Sequence, residues 1–174
     1  MNLREATALI MFENKNRSPQ LWLDLGCGTG LFTVALAGNL PAGSKIIAID
    51  KDEKALRKIP PKVKDVIIQT IAADFVSDSL DEKDIDGILM ANSLHFVKDK
   101  QTLLNRLIGS MKTNAVFVIV EYDRQIGNVW VPYPLTIEAG RTLFKGLGYA
   151  DFHMLNKRPS LFGRDNMYAA MIRS

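Results

Sequence analysis

The stretch Leu21-Trp22-Leu23-Asp24-Leu25-Gly26-Cys27-Gly28-Thr29-Gly30 decides how the rest of the chain reads. Its first five residues form a short apolar run that stops at glycine, the pattern of a buried strand. Behind it, residues 31–40 are rich in Ala, Leu and Val and stop at Gly38-Asn39 with Pro41 just beyond. That is a helix with a proper ending. Glycines between a strand and a helix let the backbone approach a ligand closely, and the helix start offers N–H groups without internal partners. In an open α/β sheet such a turn lies at the carboxyl end of its strand, where ligands bind.

Working outward, the alternation continues. Residues 45–50 (K-I-I-A-I-D) read as a second buried strand, and 52–59 as a short helix ended by Pro60-Pro61. Residues 66–71 and 85–91 are strand-like. Residues 99–111 read as a helix whose stripe is Leu103, Leu104, Leu107, Ile108 and Met111. The run 115–121 (A-V-F-V-I-V-E) is a central strand, 136–147 a helix ending at Gly146 and Gly148, and 149–155 with 167–173 a closing antiparallel pair. Before them all, Leu3, Ala6, Leu9 and Ile10 recur at helical spacing, through about Asn14. Strands alternating with helices give right-handed crossovers and a mainly parallel sheet covered on both faces. The expected fold is therefore α/β, doubly wound, in one domain spanning 1–174. Its longest irregular piece is 122–135.

Composition agrees. With 174 residues, 47% apolar and 24% charged, the chain is ordinary for one globular domain and excludes collagen-like or disordered classes. The lone Cys27 forms no internal disulfide, which suits the cytoplasm, and two histidines supply no His-built metal site. The net charge of +3 is mild, and the basic stretch of Lys54, Arg57, Lys58, Lys62 and Lys64 is diluted by acids, so no nucleic-acid partner is expected. No apolar run is long enough to span a bilayer, so no membrane insertion is expected.

The glycine spacing discriminates between ligands. A dinucleotide fingerprint requires its third glycine at position 31, which is Leu31, and no Gly-Lys-Ser/Thr of a phosphate loop is present. Asp50, ending the next strand, can accept hydrogen bonds from both hydroxyls of a ribose; its alternative is to cap the helix that follows.

The segment L-D-L-G-C-G-T-G at 23–30 resembles the first motif of class I S-adenosylmethionine-dependent methyltransferases. Ile47-Ala48-Ile49-Asp50 resembles their second-strand motif, Ala73-Asp74-Phe75 the adenine-side motif, and residues 86–94 the fourth-strand motif. The resemblance implies a Rossmann-like sheet of about seven strands in the order 3-2-1-4-5-7-6. It also implies S-adenosylmethionine as cofactor, with S-adenosylhomocysteine as product. Gly26, Cys27, Gly28 and Gly30 would face the methionine part, and Asp24 its ammonium. Asp50, with Lys51 beside it, would hold the ribose, and Asp74 would accept from the adenine amine. Ala73 flanks it, and Phe75 or its backbone would frame the ring. Asn92 and Ser93 would sit near the transferring methyl, and residues 1–20 would form a short helical segment over the cofactor site.

For chemistry at the methyl, His95 is the candidate general base of suitable pKa, with Asn92 beside it. Its bland alternative is packing. Cys27 sits where a small side chain is required and has no base beside it. Asn92-Ser93-Leu94-His95 departs from the Asn/Asp-Pro-Pro-aromatic motif of methyltransferases acting on adenine or glutamine nitrogen. Tyr122, Arg124, Trp130 and Tyr133 mix aromatic faces with a cation and are the expected acceptor walls, or else pin a loop over the sheet edge. The expected activity is methyl transfer to a small-molecule or lipid-like acceptor by in-line displacement. A non-catalytic partner protein of the same fold and a nicotinamide-dependent oxidoreductase are the alternatives. The short N-terminal portion leaves the site open, closed by the first helix, or completed by a homodimer or partner chain.

Overall fold

The computed structural model describes residues 1–159 and 166–174. Among the described residues, eight strands form one sheet: β1 (Leu21–Leu25), β2 (Lys45–Asp50), β3 (Lys62–Val63), β4 (Val66–Ala72), β5 (Ile85–Ala91), β6 (Met111–Asp123), β7 (Asp151–Pro159) and β8 (Asn166–Arg173). Their order is β3-β4-β2-β1-β5-β6-β8-β7. The strands β4, β2, β1, β5 and β6 pair parallel, and β8 enters antiparallel between β6 and β7. Setting β3 aside, this is the expected order. The extra strand is a two-residue edge hairpin with β4, turning through Lys64 at φ 50; nothing in the apolar pattern marks so short a strand.

Helices α1 (Leu3–Ile10), α2 (Leu31–Ala37) and α3 (Glu53–Leu56) accompany one core, and α4 (Lys100–Ile108) and α5 (Ile137–Gly146) the other. Successive strand residues face opposite layers: Leu23, Leu25, Phe117 and Ile119 join α4 and α5, while Trp22, Ile46, Val118 and Val120 join α1 and α2. The segment expected over the cofactor site supplies α1, which packs against α2, β7 and β8. A capping box between Asn2 and Glu5 starts it.

Several boundaries differ from the periodicity. Helix α1 ends at Ile10 because the chain turns extended at Met11, and Phe12 stacks on Trp22 at 5.9 Å. Helix α3 stops at Leu56, and tight turns carry the chain to Pro60, before which helical backbone is disfavoured. The helix expected over 99–111 ends at Ile108, with Gly109 as cap, and Met111 opens β6. Met111 still packs on the same core, which is why the periodicity ran through it.

Phe117 is fully buried and meets Phe144 and Tyr149 at centroid separations of 5.3 and 5.2 Å. Phe117→Ala removes this ring and leaves a cavity between the sheet and α5. A loss of about 3–5 kcal/mol in urea denaturation is the expected outcome.

Candidate active site

The glycine loop is pinned to its neighbours by backbone. Gly26 N and Cys27 N donate to Ile49 O at 2.8 and 3.1 Å. Gly26 has φ +74, and a Cβ on it would lie 2.5 Å from Ser93 Cβ, so any side chain would drive β1 and β5 apart. Gly28, at φ +53, is the opposite case: nothing lies within 4 Å of its Cβ position. The loop is thus pressed shut on one side and open on the other, where a ligand could approach the backbone.

Asp50 Oδ2 accepts from Gly28 N at 2.8 Å and Oδ1 from Asp52 N at 2.9 Å. The cap of α3 is Asp52, whose side chain accepts from Lys54 N and Ala55 N, so Asp50 does not cap that helix. A carboxylate has about four acceptor sites, which leaves Asp50 capacity for hydroxyl donors. Lys51 beside it is exposed.

Asp24 is completely buried. Its Oδ2 accepts from Thr33 Oγ1 at 2.6 Å, tying β1 to α2, while Oδ1 has no hydrogen-bond partner. Burial pushes its carboxyl up to about 7; the Thr33 hydroxyl opposes the shift and the charge of Asp50 adds to it. An orphaned buried acceptor beside an open glycine backbone fits a cationic ligand group such as an ammonium. Cys27 is half-buried, and burial pushes its thiol far above its ordinary range, so it is no thiolate nucleophile.

On the other side of the loop, Ala73 N donates to Asp50 O at 3.1 Å. Asp74 Oδ1 accepts from Val76 N at 2.9 Å, so this carboxylate does serve a local turn, with its second oxygen left over. The Phe75 ring is buried against the glycine loop, 3.3 Å from the Cβ position of Gly26, and its carbonyl accepts from the Arg106 guanidinium. That leaves backbone, not the ring, as what Phe75 can offer a ligand.

At the end of β5, Asn92 holds a left-handed φ of 55, its N–H donates to Val120 O at 2.8 Å, and its buried Oδ1 lacks a partner. Non-glycine residues in this region are uncommon and gather at functional sites. Ser93 Oγ donates to Leu25 O at 2.6 Å, making it a strut between β5 and β1. His95 follows in a single 3-10 turn, Leu94–Phe96, and is 2% exposed.

Its partner is one that the sequence reading missed. His95 Nδ1 and Glu121 Oε2 are 2.6 Å apart, and His95 N–H donates to Glu121 Oε1 at 3.1 Å. Both carboxylate oxygens of Glu121, wholly buried at the carboxyl end of β6, are thus engaged by one residue. The signal was present as a lone Glu ending an apolar strand, but nothing local says what it meets.

Among the expected acceptor walls, Tyr122 is half-buried with its ring 6.1 Å from that of His95, and Tyr133 N donates to His95 O at 3.0 Å. Arg124 begins the loop that leaves β6 and lines a hollow of about 860 Å³. Trp130 is 80% exposed and encloses nothing. A larger cleft than this hollow, about 1000 Å³, lies at the amino edge among Phe12, Trp22 and Lys112, away from these groups. Converging side chains, not cavity size, mark the site. Among the described residues, no group of His, Cys, Asp and Glu is arranged to hold a metal.

Comparison with known proteins gives the family and the fold. A methyltransferase domain family matches residues 23–114, more than half of the chain, and the chain belongs to that family. It is similar to an uncharacterized methyltransferase of Mycobacterium tuberculosis, 29% identical over 103 residues, covering 59% of this chain and 51% of the relative. It also resembles a carboxy-S-adenosyl-L-methionine synthase of Helicobacter pylori, 30% identical over 112 residues, covering 63% of this chain and 46% of the other. The chain spans about half the length of these curated relatives. In fold it is similar to the 1,6-didemethyltoxoflavin-N1-methyltransferase of Burkholderia thailandensis, solved with S-adenosylhomocysteine. The TM-score is 0.68 at 19% identity, over 99% of this chain and 77% of that one. The plantazolicin methyltransferase is another such structure, with TM-score 0.65 at 17% identity, over 99% and 81%. The fold is that of a class I S-adenosylmethionine-dependent methyltransferase.

The shift of Asp24 makes stability depend on pH in a defined sense. Between its unfolded value near 3.8 and about 7, the folded chain keeps a proton that the unfolded chain releases. Stability from this group is therefore full below 3.8 and falls as pH rises to about 7. Urea denaturation at pH 5 and pH 8 should show wild type losing more stability across the interval than Asp24→Asn.

Proposed function

We propose that this chain binds S-adenosylmethionine at loop 26–30 and transfers its methyl group, by in-line displacement, to a small-molecule or lipid-like acceptor beside His95. The observation that carries the reading is the buried His95–Glu121 pair at the carboxyl ends of β5 and β6, next to the orphaned oxygen of Asn92. When bound, the cofactor supplies an activated sulfonium methyl. The open backbone at Gly28 receives its methionine part, Asp24 Oδ1 its ammonium, and Asp50 its ribose hydroxyls. Asp74, through its second oxygen, and the backbone of Ala73 and Phe75 lie on the adenine side.

What remains for the chain is alignment and proton management. Glu121 holds the Nδ1–H of His95, so Nε2 is the ring nitrogen left to take a proton from an acceptor as it is methylated. Tyr122, whose ring lies 6.1 Å from that of His95, brings aromatic surface to that position. With its one cysteine held as a half-buried thiol, the protein suits the cytoplasm.

Calorimetry with S-adenosylhomocysteine, with NAD in a parallel cell, tests the cofactor. Micromolar binding of the first alone is expected, and its absence from a folded chain returns the non-catalytic partner reading. Asp50→Ala should weaken that binding by about 1–3 kcal/mol through lost charged hydrogen bonds; unchanged affinity removes Asp50 from the ribose. His95→Ala should bind S-adenosylhomocysteine as wild type does but turn over any acceptor that wild type methylates roughly 10²–10⁴ times more slowly. Equal turnover would return His95 to packing.

A further inference from the structure

The turn that carries His95 is closed by a lysine. Lys100 opens α4 and is half-buried, and its Nζ donates to Val97 O and to Tyr133 O, both at 2.8 Å. Nζ also stands 5.7 Å from the centre of the Tyr133 ring, within cation–π reach. Tyr133 N in turn donates to His95 O at 3.0 Å. Because Val97 lies two residues after His95, these bonds close a ring. It runs from His95 to Tyr133, from Tyr133 to Lys100, from Lys100 to Val97, and along the chain back to His95. From β6, Glu121 takes the backbone N–H of His95 and meets its Nδ1 at 2.6 Å.

A lysine that serves solubility keeps its charged head in water while its stem packs. Lys100 instead spends two of its three donors on backbone carbonyls. Burial holds its ammonium below the usual lysine range, and the charge of Glu121 opposes that shift. Its neighbour Asp99 does not compete for it, because both Asp99 oxygens accept from Thr102, at 3.0 and 2.8 Å. The turn it grips needs outside support. Leu94–Phe96 is a single 3-10 turn, closed by Phe96 N to Ser93 O and Val97 N to Leu94 O, and such short turns have poor hydrogen-bond geometry. The imidazole follows the backbone that carries it, and His95 O and Val97 O are both held from outside the turn. Tyr133 holds the first, and Lys100 holds the second together with Tyr133 itself. Bonds from an ammonium are stronger than those from a neutral donor, which suits Lys100 to lock the ring.

We propose that Lys100 is a positioning residue for His95. Its ammonium locks the 94–97 turn to the Tyr133 end of the loop after β6, so that the imidazole stays seated on Glu121 with Nε2 left free. That this seating serves methyl transfer rests on the methyltransferase reading; the locking itself does not.

Hydrogen exchange followed by NMR tests this on the full chain, with neither cofactor nor acceptor needed. Three protons report on the ring: His95 N–H, His95 Nδ1–H and Tyr133 N–H. All three should exchange slowly in wild type, and the exposed His153 supplies a fast imidazole for comparison. In Lys100→Met they should exchange about tenfold faster or more, while the amides of β1 and β2 keep their wild-type rates. Lys100→Arg should restore slow exchange. Lys100→Gln, which keeps one donor and loses the charge, should show a smaller acceleration at the same protons, and it carries the comparison if Lys100→Met does not fold. Wild-type rates at all three protons in a folded Met or Gln variant overturn the proposal. So does an acceleration shared equally by β1 and β2, which is a loss of global stability, or a wild-type His95 ring that exchanges as fast as that of His153. Failure of wild type to bind S-adenosylhomocysteine would instead remove the methyltransferase reading and leave these rates unchanged.

Discussion

A line of hydrogen bonds runs across the carboxyl edge of the sheet, and the candidate site depends on it. Ala73 N reaches Asp50 O, Gly26 N and Cys27 N reach Ile49 O, Ser93 Oγ reaches Leu25 O, and Asn92 N reaches Val120 O. Each bond ties the residue leaving one strand to the end of its neighbour, from β4 through β2, β1 and β5 to β6. The line closes only because Gly26 carries no Cβ, which would strike Ser93. Buried backbone groups must find partners, so loops that would otherwise fray are held at fixed height. Asp24, Asp50, Asn92 and His95 gain their relative positions from that stitching, not from contact with one another.

The polar groups along this edge are costly to the fold, which separates them from its ordinary struts. Glu121 is wholly buried, and a buried ion pair or hydrogen-bonded acid is weak evidence for stability, since apolar replacements of similar volume often do as well. Asp24 and Asn92 each keep a buried oxygen without a partner, at the free-energy cost of an unmade bond. Three such features gather at the carboxyl ends of β1, β5 and β6, the edge that carries the candidate site. The loop after β6 extends the same edge outward. Asn128 ties that loop into a turn on which Val129 and Trp130 stand exposed.

Much of this was legible in the chain. The alternation of strand and helix, the glycine turn, and Asp50 ending the second strand are local patterns, and local patterns survive because helical and strand periods differ. Met111 shows the limit. It lies on the apolar stripe of α4 and belongs to β6, because a core accepts an apolar residue from either element. Phe75 shows another: it matches a cofactor-side motif, yet its ring packs beneath the loop. Asp74, expected on the adenine side, also gives one oxygen to a turn of its own, which the motif does not reveal.

The sequence by itself determined the doubly wound sheet, the side of it on which a ligand would lie, and the type of loop that would meet that ligand. These follow from apolar spacing and glycine placement over a few residues each. Only the tertiary structure decided that Glu121 holds His95, that burial raises the carboxyl of Asp24 against the opposing hydrogen bond from Thr33, and that Trp130 stands in water. Those outcomes turn on which residues distant in the chain come within hydrogen-bond reach and how much solvent is left around them. Burial and proximity of that kind arise when β6 pairs with β5 and α2 packs beneath β1, and no local pattern in the chain encodes them.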